Sequence, residues 1–196
     1  MRVFLTELNI DAATANRLIA SLPSEQRHRA NSLAATVAFC LLRYAAAQVS
    51  PTVSPNVWQT AAHGKPYLAG GPHFNLSHTR HGVAVAISTT QEVGVDLEEI
   101  RERPFKFTQR YFTPTEQKAV ETATDRTDEI IRIWTAKEAA AKCSGTGIDR
   151  NFCNIPTNGV KNARVLLGNV PHWLSVTPAA EMPEIEWVCA EQLLPD

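Results

Sequence analysis

Two spacings of hydrophobic residues alternate along this chain, and the change from one to the other outlines its elements. Val3–Leu8 alternates with the period of a strand, and Asp11 is placed to cap a short helix that Pro23 must end by Leu22. Leu33, Val37, Leu41 and Tyr44 then recur at helical spacing, which predicts one long Ala-rich helix over Glu25–Gln48 with Ser24 as its cap. Pro51 and Pro55 mark a loop. Strands are predicted at Val57–Ala62, Tyr67–Leu68, Phe74–Ser77, Val83–Ser88 and Val93–Leu97, with turns at His63–Pro66 and Gly70-Gly71-Pro72.

From there the pattern turns helical. Arg101–Phe112 is basic and aromatic, and Thr113-Pro114-Thr115-Glu116 is a capping box with proline at the first helical position. A long helix follows over Asp128–Ser144, stopped at Gly145 or Gly147. Short strands return at Phe152–Ile155, Arg164–Leu167, His172–Thr177 and Ile185–Ala190. Helices followed by strands in both parts of the chain predict an α+β fold. A faint echo between Leu76-Ser77-His78-Thr79 and Leu174-Ser175-Val176-Thr177 suggests two related halves, too briefly to prove duplication.

Composition narrows the class. Hydrophobic residues are 44% and charged residues 20%, the balance of an ordinary soluble globular protein. A net charge of −1 supplies no basic field for nucleic acid. The N-terminus, MRVFLTELNIDA, has too short an apolar run and too early an acid for a signal peptide, and no stretch approaches the roughly 20 apolar residues of a membrane span. The cysteines Cys40, Cys143, Cys153 and Cys189 are scattered without a CxxC pair, which fits buried reduced thiols in a cytoplasm.

Two stretches carry chemistry. In the 128–144 helix, Ile130, Trp134, Glu138 and Lys142 follow at i, i+4 and share one face, a stripe that starts apolar and ends with a carboxylate and an ammonium one turn apart. By itself such a pair is an ordinary surface pair. Upstream, Asp96 and Glu98 of GVDLE end an apolar strand two residues apart, so both face one side with Cα atoms roughly 6.5 Å apart. Two convergent carboxylates repel unless a cation or proton joins them, and magnesium suits them. Glu99 is expected on the other face, in solvent. Ser77 and His78 sit at a strand-to-turn junction able to offer donors to a phosphate. The pair His78 and His81 has no clustered ligands beside it in the sequence, so zinc is not expected. Gly64-Lys65-Pro66 presents one lysine on a turn, and Arg27, His28 and Arg29 form a small cationic cluster.

GVDLE followed about forty residues later by WTAKEAAAK (Trp134–Lys142), with GKP and FNLSH upstream, resembles the paired signature of the 4'-phosphopantetheinyl transferases, in particular the Sfp-type branch. The ordered motifs run from Gly64 to Lys142 and leave the C-terminal third without any. The resemblance implies two similar α/β halves, roughly 1–97 and 98–196, in one globular unit, with coenzyme A in the cleft between them. It implies magnesium (manganese being the alternative) on Asp96, Glu98 and Glu138, and Lys142 and Lys137 toward the coenzyme A phosphates. It further implies Lys65 and Pro66 beside the adenine, Ser77 and His78 on the 3'-phosphate, and Glu138 with Lys142 as the catalytic pair. The basic residues of the N-terminal third match the family least well, leaving Arg27, Arg29 and Arg43 as weaker candidates for the phosphate clamp.

The reaction implied is transfer of the 4'-phosphopantetheine arm to a serine of an apo acyl or peptidyl carrier protein, by a cytoplasmic monomer that needs neither nucleic acid nor membrane. Arg103, Lys106, Phe107 and Arg110, just after the acids, are the candidate carrier-docking stretch. Another magnesium-dependent enzyme acting on phosphate esters, or a non-catalytic coenzyme A- or carrier-binding relic, remain the alternatives.

Overall fold

A computed structural model describes residues 1–28, 30–52, 59–60 and 64–195. The elements run β1 (Arg2–Glu7), α1 (Ala12–Ser21), α2 (Ser24–Arg27), α3 (Leu33–Val49), β2 (Gln59–Thr60), β3 (Pro66–Tyr67), β4 (His73–His78), β5 (Gly82–Ser88) and β6 (Gly94–Glu99). Then come α4 (Phe105–Tyr111), α5 (Pro114–Thr122), α6 (Arg126–Ser144), β7 (Lys161–Leu167), β8 (Val170–Thr177) and β9 (Ile185–Trp187). The predicted helix over 25–48 divides in two. Ser24–Arg27 is a separate turn of helix, and α3 starts only at Leu33, where the Ser32 side chain accepts the N–H of Ala35. Phe152–Asn154 is a 3-10 turn rather than a strand, and β9 stops at Trp187 before a second 3-10 turn over Ala190–Leu193. Most of the strand expected over 57–62 lies outside the described residues, as does His63.

A four-stranded sheet has the order β4-β5-β1-β9 and a three-stranded sheet the order β6-β8-β7. In the first sheet β5 is antiparallel to both β4 and β1; in the second β8 is antiparallel to both β7 and β6. The order strand–helices–strand–strand therefore occurs twice, β1, β4 and β5 corresponding to β6, β7 and β8. The echo in the sequence is out of step with this, because it matches β4 to β8.

Period-2 alternation assigns the faces. Phe4 of β1 and Val83, Val85 and Ile87 of β5 pack under α1 and α3, with Leu18, Val37 and Leu41. Val3 and Leu5, with Ala84 and Ala86, join Val95, Leu97, Leu174 and Val176 of the second sheet in one cluster. A third cluster of Phe112, Ile133, Trp134 and Phe152 holds α4–α6 together. Helix α6 lies on β6 at close range: a Cβ on Gly94 would sit 2.0 Å from the Ala139 carbonyl oxygen and 2.8 Å from the Cys143 nitrogen. The glycine of GVDLE is thus a packing requirement. Among the described residues no helix is long and apolar enough to cross a membrane. Of the four free cysteines only Cys40 is buried; Cys189 is exposed, contrary to the expectation of buried thiols throughout.

Candidate active site

The edges of the two sheets meet at β4 and β6, and side chains replace the ladder that would otherwise join them. Asn75 Oδ1 accepts the N–H of Val95 at 3.1 Å, and Ser77 Oγ accepts the N–H of Leu97 at 3.1 Å. Both amides are buried, so these bonds satisfy donors that an edge strand leaves open. Between them Asp96 points toward α6 with only 2% of its surface exposed. The two sheets, which the sequence separates by turns, thus form one seam.

Helix α6 closes that seam. Asp125 caps it by accepting the N–H of Asp128 at 3.0 Å, and Gly145 ends it in the left-handed conformation (φ 72°). The i, i+4 stripe faces β6 as expected. Lys142 Nζ lies 2.6 Å from Asp96 Oδ1, 3.1 Å from Ser77 Oγ and 3.9 Å from Glu138 Oε2. Ser77 Oγ in turn donates to Asp96 Oδ1 at 2.8 Å. Glu98 accepts the Trp134 indole N–H at 3.2 Å and an Arg103 N–H at 3.0 Å. These are charge-assisted bonds in a partly water-excluded place, where they are stronger than on the surface.

Three carboxylates share this seam, and burial together with the Asp96 charge raises two of them. Burial pushes Glu138 up, the Asp96 charge adds to it, and despite the opposing Lys142 ammonium the carboxyl reaches about 7. Glu98 is raised for the same two reasons, partly offset by Arg103 and the Trp134 hydrogen bond. Burial alone would depress Lys142, but Asp96, with Glu138 and Glu98 behind it, holds the ammonium above its ordinary range. Asp96 Oδ2 is buried without a hydrogen-bond partner among the described residues. A lone oxygen on a buried acid, beside two further acids of raised pKa, is a donor set that fits a hard divalent cation.

From Glu138 and Lys142 a cleft of about 290 Å³ runs to Gly64, Lys65, Pro66, Asn75, Leu76 and the 145–148 turn. It brings the GKP turn and the helix motif, more than seventy residues apart, to one wall. Lys65 Nζ donates to Glu92 Oε2 at 2.6 Å and to the Cys143 carbonyl at 2.8 Å, which pins the turn against the end of α6.

Several expected site residues sit elsewhere. Lys137 is fully buried, with Nζ 2.9 and 3.0 Å from the Glu116 oxygens and 2.7 Å from the Cys153 carbonyl. One residue before Glu138, it turns away from the cleft, toward α5 and the 152–154 turn. Ser77 is 7% exposed and spends its hydroxyl on Asp96, Leu97 and Lys142, so it positions an acid rather than offering a phosphate donor. His78, the next residue on the strand, is exposed and lines a separate hollow with Arg80, Glu98 and Arg101. Arg27 donates to the carbonyls of Leu22 and Ala20, and Arg43 to those of Ser21 and Leu193, so both brace helix ends. Arg29 lies outside the described residues.

In the docking stretch, Lys106 and Arg110 are exposed, whereas Arg103 is tied to Glu98. The Phe107 ring packs on Trp134 with centroids 4.7 Å apart. Trp134 and Arg103 as supports of Glu98 escape the sequence reading. The i, i+4 stripe could have signalled the tryptophan; nothing local signals the arginine. Glu99 is not in solvent but paired with Arg80 at 2.9 Å, its side chain 16% exposed.

The family model described as the 4'-phosphopantetheinyl transferase superfamily matches residues 92–177. A 4'-phosphopantetheinyl transferase of Bacillus subtilis is 25% identical over 151 residues, which cover 71% of this chain and 67% of that protein. One from Nostoc sp. is 35% identical over 94 residues, 43% of this chain and 40% of its own length. Across the curated relatives matched, the chain spans from 37% to 67% of their lengths. Among solved structures, the holo-[acyl-carrier-protein] synthase of Thermotoga maritima superposes with a TM-score of 0.36 at 21% identity, over 45% of this chain and 63% of that one. Residues 92–177, which carry all three seam acids and Lys142, are thus the part of the chain that matches the 4'-phosphopantetheinyl transferase superfamily.

Proposed function

We propose that the chain transfers the 4'-phosphopantetheine arm of coenzyme A to a serine hydroxyl of an apo acyl or peptidyl carrier protein and releases 3',5'-ADP. The observation that carries the reading is the convergence of Asp96, Glu98, Glu138 and Lys142 on one seam, opening into the cleft that ends at Lys65-Pro66. Asp96, Glu98 and Glu138 are the residues that would hold magnesium, or manganese, and such an ion when bound neutralises pyrophosphate oxygens as charge develops on the leaving group.

The remaining work falls to the chain itself. Lys142 keeps its proton and sets a fixed positive charge beside the acids, preorganised by Asp96 and Ser77. Trp134 and Arg103 hold Glu98 in place from two directions. Glu138, beside Lys142 at the mouth of the cleft, is the best-placed group to accept the serine proton, directly or through a water. The serine oxygen–phosphorus bond forms, the bond from that phosphorus to the bridging oxygen breaks, and the oxygen leaves with 3',5'-ADP. We read the chain as one globular unit of two halves, divided before β6 (Gly94–Glu99) rather than at 97/98, which would cut that strand, and acting as a cytoplasmic monomer.

Mass spectrometry of an apo carrier incubated with coenzyme A and magnesium tests the proposal. The carrier should gain one phosphopantetheine while 3',5'-ADP accumulates, and Asp96→Ala should abolish both in a folded protein. Cleavage of coenzyme A at an equal rate without carrier would instead make the chain a hydrolase of phosphate esters.

A further inference from the structure

A second group of ligating side chains lies at the other face of β6. Asp96 and Glu98 point toward α6, so Glu99 shares the inward face of Val95 and Leu97. Directly across the ladder is His172 of β8, whose neighbours on that face, Leu174 and Val176, are core residues. His172 is fully buried. From the first sheet, the turn between β4 and β5 brings His81 onto the same spot, its ring edge-to-face with His172 at 5.3 Å between centroids. One ligand atom from each of His81, Glu99 and His172 lies within 4.8 Å of the others.

The hydrogen bonding of these groups is incomplete in a particular way. His81 Nδ1 is buried without a hydrogen-bond partner among the described residues, and Glu99 Oε2 stands 3.7 Å from it, too far to bond. Arg80 occupies the opposite oxygen, Oε1, at 2.9 Å, and leaves Oε2 facing the histidines. His172 Nδ1 sits 2.8 Å from the Val170 carbonyl, which assigns the proton to Nδ1 and the lone pair to Nε2. Apart from the Thr79 hydroxyl at 3.2 Å, that lone pair faces the same gap. A histidine oriented by a backbone carbonyl through its other nitrogen is how metal-ligating imidazoles are held.

We propose that His81, Glu99 and His172 bind one zinc-class cation, at a site separate from the three seam acids, that fastens the β4–β5 turn of the first sheet to β6 and β8 of the second. Two imidazoles and one carboxylate are a borderline donor set that favours zinc or cobalt over magnesium, which prefers oxygen alone. Zinc–nitrogen bonds of about 2.0–2.1 Å put tetrahedral ligands roughly 3.3 Å apart, so the group contracts by about 1.5 Å at its widest. His81, in a turn, is the arm that moves. Three protein ligands leave a fourth position for water or the Thr79 hydroxyl.

The test uses the whole chain, stripped with chelator and returned to buffer containing excess magnesium, which occupies the seam acids. Zinc retained after dialysis and the visible spectrum of bound cobalt report the site without reference to turnover. One equivalent should bind and raise the melting temperature. His81→Ala and Glu99→Gln, both at partly exposed positions and each checked for folding by circular dichroism, should weaken binding at least about tenfold, because loss of a mere supporting residue costs that much. Asp96→Asn should leave it unchanged. No bound zinc under excess magnesium overturns the proposal. So does equal affinity in His81→Ala, which would put the ion on thiols, and so does loss in Asp96→Asn, which would put it on the seam acids.

Discussion

Lys137→Met separates the two lysines of the helix motif. The substitution keeps most of the side-chain volume but removes an ammonium that meets both oxygens of Glu116, at 2.9 and 3.0 Å, and the Cys153 carbonyl at 2.7 Å. Lys137 is fully buried, and Glu116, 20% exposed, is also the residue that closes the capping box of α5. Breaking such a pair from one side leaves a charge without its partner, which costs about 3–5 kcal/mol. Because Glu116 keeps some access to water, about 3 kcal/mol is the figure to expect. At this chain length each kcal/mol moves Tm by roughly 2–4 °C, so the drop should be about 6–12 °C. Coenzyme A affinity and turnover, measured well below the lowered Tm, should stay within a few-fold of the native chain. Differential scanning fluorimetry and calorimetric titration with coenzyme A on the same preparation decide the matter. A Tm within about 2 °C of the native value together with lost coenzyme A binding would show that Lys137 serves the phosphates after all.

Glu138 predicts a pH dependence of the metal-free protein. Its folded pKa, about 7, lies above the unfolded value of 4.5, so the folded chain binds the extra proton and its stability declines as pH rises from 4.5 through 7. Glu138→Gln should flatten the urea midpoint across that window, and an unchanged slope would remove Glu138 as its source. Ser77→Ala takes away the hydroxyl that holds Asp96, Lys142 and the Leu97 amide, and should cost about 1–3 kcal/mol in chemical denaturation along with most of the turnover; native-like kinetics would mean Asp96 needs no such support. Gly94→Ala forces a methyl into the Ala139 carbonyl and should drive β6 and α6 apart, seen as loss of the cooperative melt; a crystal structure with unmoved backbone would refute the close crossing. Reversing the exposed pair Lys106 and Arg110 to glutamate should raise KM for an acidic carrier increasingly as salt is lowered and spare that for coenzyme A; equal values at low salt would place carrier docking elsewhere.

Much of the site was legible because its signals are local. The i, i+4 spacing of Trp134, Glu138 and Lys142 and the two-residue spacing of Asp96 and Glu98 are consequences of helix and strand periodicity, and no tertiary contact altered which face each occupied. Caps at Asp11 and Thr113 and the stop at Gly145 were equally readable, since turn chemistry acts within four residues. The helix expected over 25–48 failed because Ser32 caps a separate start at Leu33, while Ser24, expected as the cap, lies inside a single turn of helix that Pro23 precedes.

What periodicity does not carry is which residues meet across the seam. The motif spelling places Lys137 and Lys142 side by side, yet five residues of helix turn them to opposite sides, one into Glu116 and one onto Asp96. Ser77 looked like a phosphate donor because its partner Asp96 is nineteen residues away on another sheet. The histidine pair His78 and His81 looked unaccompanied for the same reason: Glu99 and His172 reach His81 only when β6 and β8 pair and the second sheet closes on the β4–β5 turn. Sequence spacing sets the direction of a side chain relative to its own element. Which charge stands opposite it is decided by the packing of that element against another, and that information is non-local.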